Sequence, residues 1–434
     1  MLSELADTNC STAETSFSLP RHRWYVIKEG FAASLVESAV RETGCEDTDR
    51  ILDPFCGSGT VPVTGARRKH PVVGVEVNPF LSFVSRTKLV QCAPEKVKDA
   101  FGSVLRGVKH GAASPLESMS TFSETKKAKK WLFNGKILRA FEGGWQATDQ
   151  LARPAKQLVR LCLIGAAMDS CNAFPDGKCL RYRKDWEDLD FGLAEFEDSL
   201  EKRVECVIED LRSDPINSSL AKIIPGDARK ILATSTLKKF GLCVTSPPYL
   251  NSFDYTDVYR PELFLSKTIL SSEALHTHRF RTLRSHVQVK WPDPTNANFG
   301  DLYDACIKEI RQRGEALWDK RLPLMVQAYF EDIESILKNL RKFAMPNAHL
   351  WFLVSTSAYA GVEIPVDLIS AHVGERAGWS LKEVKVIRRL RPSGQHTNKV
   401  SGITVRVPRL RESIVIFDAG GDDGARRGVK KREG

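Results

Sequence analysis

Arg50-Ile51-Leu52-Asp53 runs directly into Pro54-Phe55-Cys56-Gly57-Ser58-Gly59-Thr60, and this juncture restricts the fold more than any other part of the chain. A short apolar strand ends on an acid, turns through two glycines and leads into a helical stretch over Thr60 to Lys69. Glycines at 57 and 59 let the backbone turn tightly and approach a ligand with no Cβ in the way. The helix that follows offers free N–H groups at its N-terminus. Pro71-Val72-Val73-Gly74-Val75-Glu76 reads as a second strand, again ending on an acid. A strand–turn–helix–strand unit of this kind belongs to an α/β protein with a parallel sheet.

Glu76 stands where an acidic side chain accepts hydrogen bonds from both ribose hydroxyls in dinucleotide sites. The third glycine of a dinucleotide loop and the lysine of a triphosphate loop are both missing, which argues against a pyrophosphate or triphosphate ligand. An adenosyl ligand without phosphate needs only the turn and the ribose carboxylate. A lone Gly-x-Gly is only a turn; the strand before, the helix after and the acid beyond give it meaning.

The rest of the chain fits an interrupted sheet. Phe31, Leu35, Val36 and Ala39 mark an early helix. Residues 90–220 are rich in Lys, Glu, Leu and Ala and read as a helical block. Strands return at Ile223-Ile224, before Gly226-Asp227-Ala228, and at Leu242 to Thr245. Residues 251 to about 320 are irregular and helical, mixing basic and aromatic side chains. A helix from Tyr329 to Phe343, a strand from His349 to Val354, a helix from Val366 to Ala377 and strands Val384 to Leu390 and Glu412 to Phe417 complete the pattern. The expected division is a flexible N-terminus, 1–20; catalytic parts 21–89, 221–265 and 325–418; insertions 90–220 and 266–324; and a disordered basic tail, 419–434.

Ser246-Pro247-Pro248-Tyr249 follows the Leu242–Thr245 strand and carries the chemistry. An aromatic amino nitrogen is a poor nucleophile because its lone pair is delocalised into the ring. A site must hold its two N–H bonds so that the lone pair turns toward an incoming methyl group. The Ser246 hydroxyl and the Pro247 carbonyl supply two such acceptors. The prolines fix φ, so the carbonyl points one way at little further entropic cost. Tyr249 offers a flat face on which an extruded base can stack.

The formal net charge of +10, with a pI near 9.0, favours a polyanionic partner and puts nucleic acid first. Arg426, Arg427, Lys430, Lys431 and Arg432 fall in the Gly-rich tail, which leaves the folded part only mildly basic. No stretch approaches the ~20 apolar residues of a membrane span. The N-terminus lacks a basic region followed by an apolar core, so a cytoplasmic location is expected. The ten cysteines are scattered without C-x-x-C spacing and do not form a disulfide framework. No metal is expected: Cys171 and Cys179 are too far apart, and His276 and His278 have no acid or cysteine beside them.

In the order Asp53–Thr60 (DPFCGSGT), Gly74–Phe80 (GVEVNPF), Gly226–Arg229 (GDAR) and Thr245–Tyr249 (TSPPY), these segments resemble the motifs of amino-methylating DNA methyltransferases. That family comprises N4-cytosine and N6-adenine enzymes. Arg23-Trp24-Tyr25 and Glu29-Gly30-Phe31 are similar to the family's segment before the cofactor loop, which contacts the methionine part of S-adenosyl-L-methionine. The resemblance implies a Rossmann-like methyltransferase with a seven-stranded, mostly parallel sheet and helical insertions. It implies that Asp53, Gly57 and Gly59 line the methionine and ribose side of the cofactor, with Phe31, Phe55 and Thr60 also cofactor-binding. Glu76 would hold the ribose, Asp227 would receive the adenine amino group, and Ser246, Pro247, Pro248 and Tyr249 would be catalytic.

Members with Ser first in the tetrapeptide are typically cytosine N4 enzymes, whereas adenine N6 enzymes usually carry Asp or Asn there. Ring-carbon methylation of cytosine needs a Pro-Cys nucleophile, and no Pro-Cys dipeptide occurs. The expected activity is therefore N4 methylation of cytosine in double-stranded DNA with base flipping. The rivals are N6 methylation of adenine, methylation of RNA, and a silent nucleic-acid-binding protein. Arg279, Arg281 and Arg284 in the basic, aromatic stretch after the tetrapeptide are expected phosphate or base contacts, and Arg181 to Lys184 form a second such stretch. A restriction endonuclease partner and the oligomeric state stay open.

Overall fold

The expected strands carry a period-two alternation that sorts their side chains onto the two faces of one sheet. The computed structural model describes residues 2–4, 10, 12–119, 121–124, 129–176, 180–390 and 408–420. The basic end of the tail, residues 421–434, lies outside the described residues, as do Cys179 and much of the N-terminal segment. The chain begins with β1 (Leu2–Glu4), α1 (Ala33–Thr43), β2 (Ile51–Asp53), α2 (Thr60–Arg67), β3 (Val72–Glu76) and α3 (Pro79–Lys88). The first insertion supplies α4 (Pro94–His110), α5 (Gly135–Ala147), α6 (Ala155–Asp169), a hairpin of β4 (Ala173–Pro175) and β5 (Leu180–Tyr182), and α7 (Leu193–Ser213). The sheet resumes with β6 (Ala221–Pro225), α8 (Ala228–Thr234) and β7 (Phe240–Thr245).

Next come the short helices α9 (Tyr255–Val258), α10 (Arg260–Leu265), α11 (Ser272–Arg279) and α12 (Asp301–Gln312), then α13 (Leu322–Phe343). The chain closes with β8 (Ala344–Ser355), a small hairpin of β9 (Ser357–Tyr359) and β10 (Val362–Ile364), α14 (Val366–Arg376), β11 (Ser380–Arg389) and β12 (Arg411–Asp418).

The sheet order is β1-β11-β12-β8-β7-β2-β3-β6. Only β12 runs against its neighbours; the β1–β11, β8–β7, β7–β2, β2–β3 and β3–β6 pairs are all parallel. The seven expected strands are present, and β1 adds a three-residue strand at the β11 edge. Ile51, Leu242, Val244, Trp351, Ile414 and Ile416 pack on one face with Phe31, Leu35, Val36 and Ala39. Their neighbours Leu52, Cys243, Leu350, Phe352, Val415 and Phe417 turn to the other face, against Ile333, Ile336 and Leu337 of α13 and Val373 of α14. Each large aliphatic side chain buried this way contributes about 1.5–3 kcal/mol, which pins the register.

β3 and β6 lie on one side of β2, and β7 on the other. The connections therefore diverge, and a crevice opens beyond the carboxyl ends of β2 and β7, the switch point where α/β sheets bind ligands. The first insertion forms its own apolar core from α4 to α7. That core is continuous with Phe80, Leu81 and Val84 of α3 and with Leu263, Phe264 and Leu265 of α10. The helical block thus leaves the sheet after α3 and is held beside it. Among the described residues no helix is long and apolar enough to cross a membrane.

Candidate active site

The Gly-rich loop folds around an acid. Asp53 ends β2 and is 2% exposed; its Oδ1 accepts the Phe55 N–H at 3.0 Å and the Thr245 hydroxyl at 2.7 Å. Gly59 has φ +94° and caps α2, and a Cβ there would come within 3.2 Å of Ser85 Cα. Only glycine suits both demands. Glu76 ends β3 next door. Its Oε2 accepts the Gly57 N–H at 2.8 Å and its Oε1 accepts the Asn78 N–H at 2.7 Å. Asn78 in turn caps α3, accepting from Phe80 and Leu81 N–H. Burial raises the Glu76 carboxyl to about 7 against those two N–H bonds, and it raises Asp53 to about 7 likewise.

A cavity of about 370 Å³ opens at the switch point. Pro54, Phe55, Gly57 and Glu76 line it, as do Gly226 and Asp227 after β6 and the whole of Ser246 to Tyr249 after β7. The two motif loops therefore share one cleft. Phe253, Tyr255, Thr256 and Tyr259 extend the wall with aromatic surface, and Phe253 and Tyr255 meet edge to face at 4.5 Å. Burial pushes the Tyr249 phenol well above its ordinary range. Leu353, Arg388 and Glu412 close the β8–β12–β11 side, with Arg388 Nε donating to Glu412 at 2.9 Å.

Asp53, Phe31, Gly59 and Thr60 stand behind the lining rather than in it. Phe31 is 5% exposed and packs in the core between α1 and the sheet. Its neighbours Ile27, Lys28, Glu29 and Gly30 line the cavity instead. Glu29 Oε2 accepts the Tyr259 hydroxyl at 2.6 Å, while Oε1 is buried without a partner among the described residues. Of the three arginines after α10, Arg279 pairs with Asp254 at 2.7 Å and Arg284 with Glu331 and Asp332. Arg281 is exposed and lines the cavity.

Several lining groups carried no local signal in the sequence. Arg388 and Glu412 meet only because β11 and β12 pair antiparallel at that register. Tyr259 reaches Glu29, and Arg229 reaches Asp332, across gaps that only the tertiary fold closes. The signal for Asn78 was available, as an Asn-Pro pair directly before a helix.

The site accepts an adenosyl ligand and rejects a phosphate. The Gly57 N–H, which a phosphate cradle would keep free, is spent on a carboxylate, and that carboxylate's charge would repel an anion. The unpartnered Glu29 oxygen suits a cationic group, and Glu76 suits a diol. A doubly wound sheet with this loop, this acid and this cleft has the Rossmann-like architecture of S-adenosyl-L-methionine-dependent methyltransferases, and the cleft suits that cofactor.

The comparisons with known proteins agree. The family model described as RMKL-like, methyltransferase domain, matches residues 21–114. The chain is 25% identical over 445 residues to the Type II methyltransferase M.BsoBI of Geobacillus stearothermophilus, covering 92% of this chain and 85% of that protein. It is 22% identical over 454 residues to the Type II methyltransferase M.AvaI of Nostoc sp., covering 92% and 86%. Among solved structures, the rRNA methyltransferase aviRa of Streptomyces viridochromogenes covers 96% of this chain and 97% of its own at 11% identity. Its TM-score is 0.31, too slight a likeness to carry an argument.

Proposed function

We propose that this chain transfers a methyl group from S-adenosyl-L-methionine to the exocyclic N4 of cytosine in double-stranded DNA, with the target base swung out of the helix. The observation that carries the reading is that Ser246 to Tyr249 and the Gly57–Glu76 pair line one cavity. The likeness to two Type II methyltransferases supports DNA as the substrate.

The cofactor, when bound, supplies a methyl group activated by a sulfonium. Glu76 holds the ribose hydroxyls, and Glu29 faces the positively charged methionine end. The Ser246 hydroxyl and the Pro247 carbonyl accept the two N–H bonds of the amino group, and Tyr249 stacks on the base. The aromatic wall keeps water out, so the rate comes mainly from positioning. The proton lost from the amino nitrogen leaves to solvent. No described cysteine among those lining residues could attack a ring carbon, and burial pushes the Cys56 and Cys243 thiols up, which keeps them protonated.

Arg281 is the residue we assign to the DNA backbone, since Arg279 and Arg284 are engaged within the protein. We assign the helical block 90–220 to target recognition. Its β4–β5 hairpin reaches the cavity wall, where the Pro175 carbonyl accepts from Lys28 Nζ at 3.4 Å.

Mass spectrometry of nucleosides from duplex DNA methylated by the protein tests the base. N4-methylcytosine is the expected product. N6-methyladenine would move the reading to adenine, labelled RNA alone would move it to RNA, and no methylation of either would leave a binding protein.

A further inference from the structure

Asp227 is largely taken up by a single residue. Its Oδ1 accepts the Arg229 backbone N–H and Nε, both at 3.0 Å; its Oδ2 accepts Nε at 3.2 Å and Nη2 at 2.8 Å. The Nε–H is shared between the two oxygens, so three N–H donors of one residue occupy most of the carboxylate's roughly four lone-pair sites. The same guanidinium continues outward. Nη1 donates to Asp332 on α13 at 2.9 Å, and Nη2 donates to the Thr282 carbonyl at 2.9 Å. Arg284 ties the same loop to Asp332 a second time, through its backbone N–H at 3.0 Å and its side chain. The segment at 281–286 is therefore clamped against the β6 end of the cavity, and Thr282, Leu283 and His286 line that end.

The hydrogen bonds there fix a tautomer. The Thr282 hydroxyl donates to the Arg279 carbonyl at 2.8 Å, so its lone pairs can only accept. The 3.3 Å contact between Thr282 Oγ1 and His286 Nε2 then has the imidazole donating, and Nδ1 is the bare acceptor. By its geometry Nδ1 is buried with no hydrogen-bond partner among the described residues, although Gln288 interacts with the ring. His286 is 2% exposed, and desolvation lowers its affinity for a second proton. A neutral wall with one unmet acceptor and an apolar Leu283 suits a neutral heteroaromatic ring that carries an N–H donor.

We propose that His286 is the acceptor for the exocyclic amino group of the cofactor's adenine, and that Arg229 is a positioning residue that holds this wall against Asp227. The inference rests on S-adenosyl-L-methionine being the methyl donor. It makes the second insertion, which the sequence suggested as a DNA contact, a part of the cofactor site.

Calorimetric titration of the full chain with S-adenosylhomocysteine and with S-inosylhomocysteine, which has a carbonyl in place of the amino group, tests it. The unmodified protein is expected to bind the adenosyl compound at least about tenfold more tightly. His286→Ala should weaken the adenosyl compound about tenfold and leave the inosyl compound nearly unchanged, so that the preference disappears. Arg229→Lys, which keeps the charge but not the fork, should narrow the preference while thermal unfolding confirms a folded protein. An unchanged preference in His286→Ala, whether both ligands weaken together or neither does, overturns the proposal. Failure of the unmodified protein to bind S-adenosylhomocysteine would instead overturn the cofactor reading beneath it.

Discussion

The Thr245 hydroxyl donates to the Asp53 carboxylate at 2.7 Å, across adjacent strands β7 and β2. Asp53 opens the Gly-rich loop and Thr245 immediately precedes Ser246, so this one bond couples the loops proposed to hold the methyl donor and the acceptor base. Both partners are buried, Asp53 at 2% and Thr245 at 0% exposure. Thr245→Val keeps the shape and removes the donor, leaving a buried carboxylate with one bond fewer, at a cost of about 1–3 kcal/mol. Denaturant unfolding is expected to register that loss, and Thr245→Ser, which restores the hydroxyl, is expected to recover most of it. Equal stability of the valine and native proteins would remove the coupling from the argument.

The raised carboxyls give a pH dependence whose sign differs between binding and stability. Burial raises Glu76 and Asp53 to about 7. If the ribose diol donates to the ionised form of Glu76, as proposed, cofactor affinity is expected to fall as pH drops through 7. The dissociation constant of S-adenosylhomocysteine should rise about tenfold per pH unit below 7 for each proton taken up. In the ligand-free protein the folded state prefers the protonated acids. Their contribution to stability is full below the unfolded carboxyl range and is lost as pH rises through about 7. Glu76→Gln should flatten most of the binding slope between pH 6 and 8, measured by titration at each pH.

The sheet and its two motif loops were legible because their signals are local. Ile51-Leu52-Asp53 before two glycines, and Leu242–Thr245 before Ser-Pro-Pro, each announce a strand end within a few residues. The helical character of residues 90–220 followed from their composition. The partners of the predicted arginines were not legible. Arg284 meets Glu331 and Asp332, and Arg279 meets Asp254, only after α13 and the loop after α10 have docked. A basic stretch that looks free in sequence is in large part internally neutralised. Glu29 lies in the segment before the cofactor loop, but its unpartnered oxygen depends on Tyr259 taking the other one. The extra strand β1 and the β4–β5 hairpin are three residues per strand, too short for periodicity to register.

Ser246 and Glu76 should fail differently. In the proposed reading Ser246 supplies an acceptor to the amino group and does not grip the cofactor, so Ser246→Ala is expected to lower turnover about 10²–10³-fold at an almost unchanged S-adenosylhomocysteine affinity. Glu76→Ala removes the ribose acceptor and frees the Gly57 and Asn78 N–H groups it now satisfies, so it should weaken cofactor binding at least about tenfold. Single-turnover rates at saturating cofactor, set beside titration, separate the two. If both variants lost both properties equally, the two motifs would not have separate roles.

Asp210 on α7 ties the helical block to the segment that leads into the cavity wall. It is 0% exposed and accepts from the Arg21 backbone N–H at 2.7 Å, from Trp24 Nε1 at 2.7 Å and from the Arg23 guanidinium at 2.5 and 3.1 Å. The strand of chain it holds, residues 21–24, leads within three residues into Ile27, Lys28, Glu29 and Gly30 on the cavity wall. Removing a buried charge that satisfies several donors leaves the buried Arg21 N–H and Trp24 Nε1–H unpaired, a loss of about 3–5 kcal/mol. Glu209, on the next position, meets the same arginine but is 68% exposed, and its removal should cost less than about 1 kcal/mol. Asp210→Ala is therefore expected to lower the unfolding midpoint far more than Glu209→Ala. It should also weaken S-adenosylhomocysteine binding, because Glu29 loses its anchorage. A stable Asp210→Ala protein with native affinity would mean that the 21–30 segment is held by its apolar contacts alone, and that the helical block has no grip on the cofactor site.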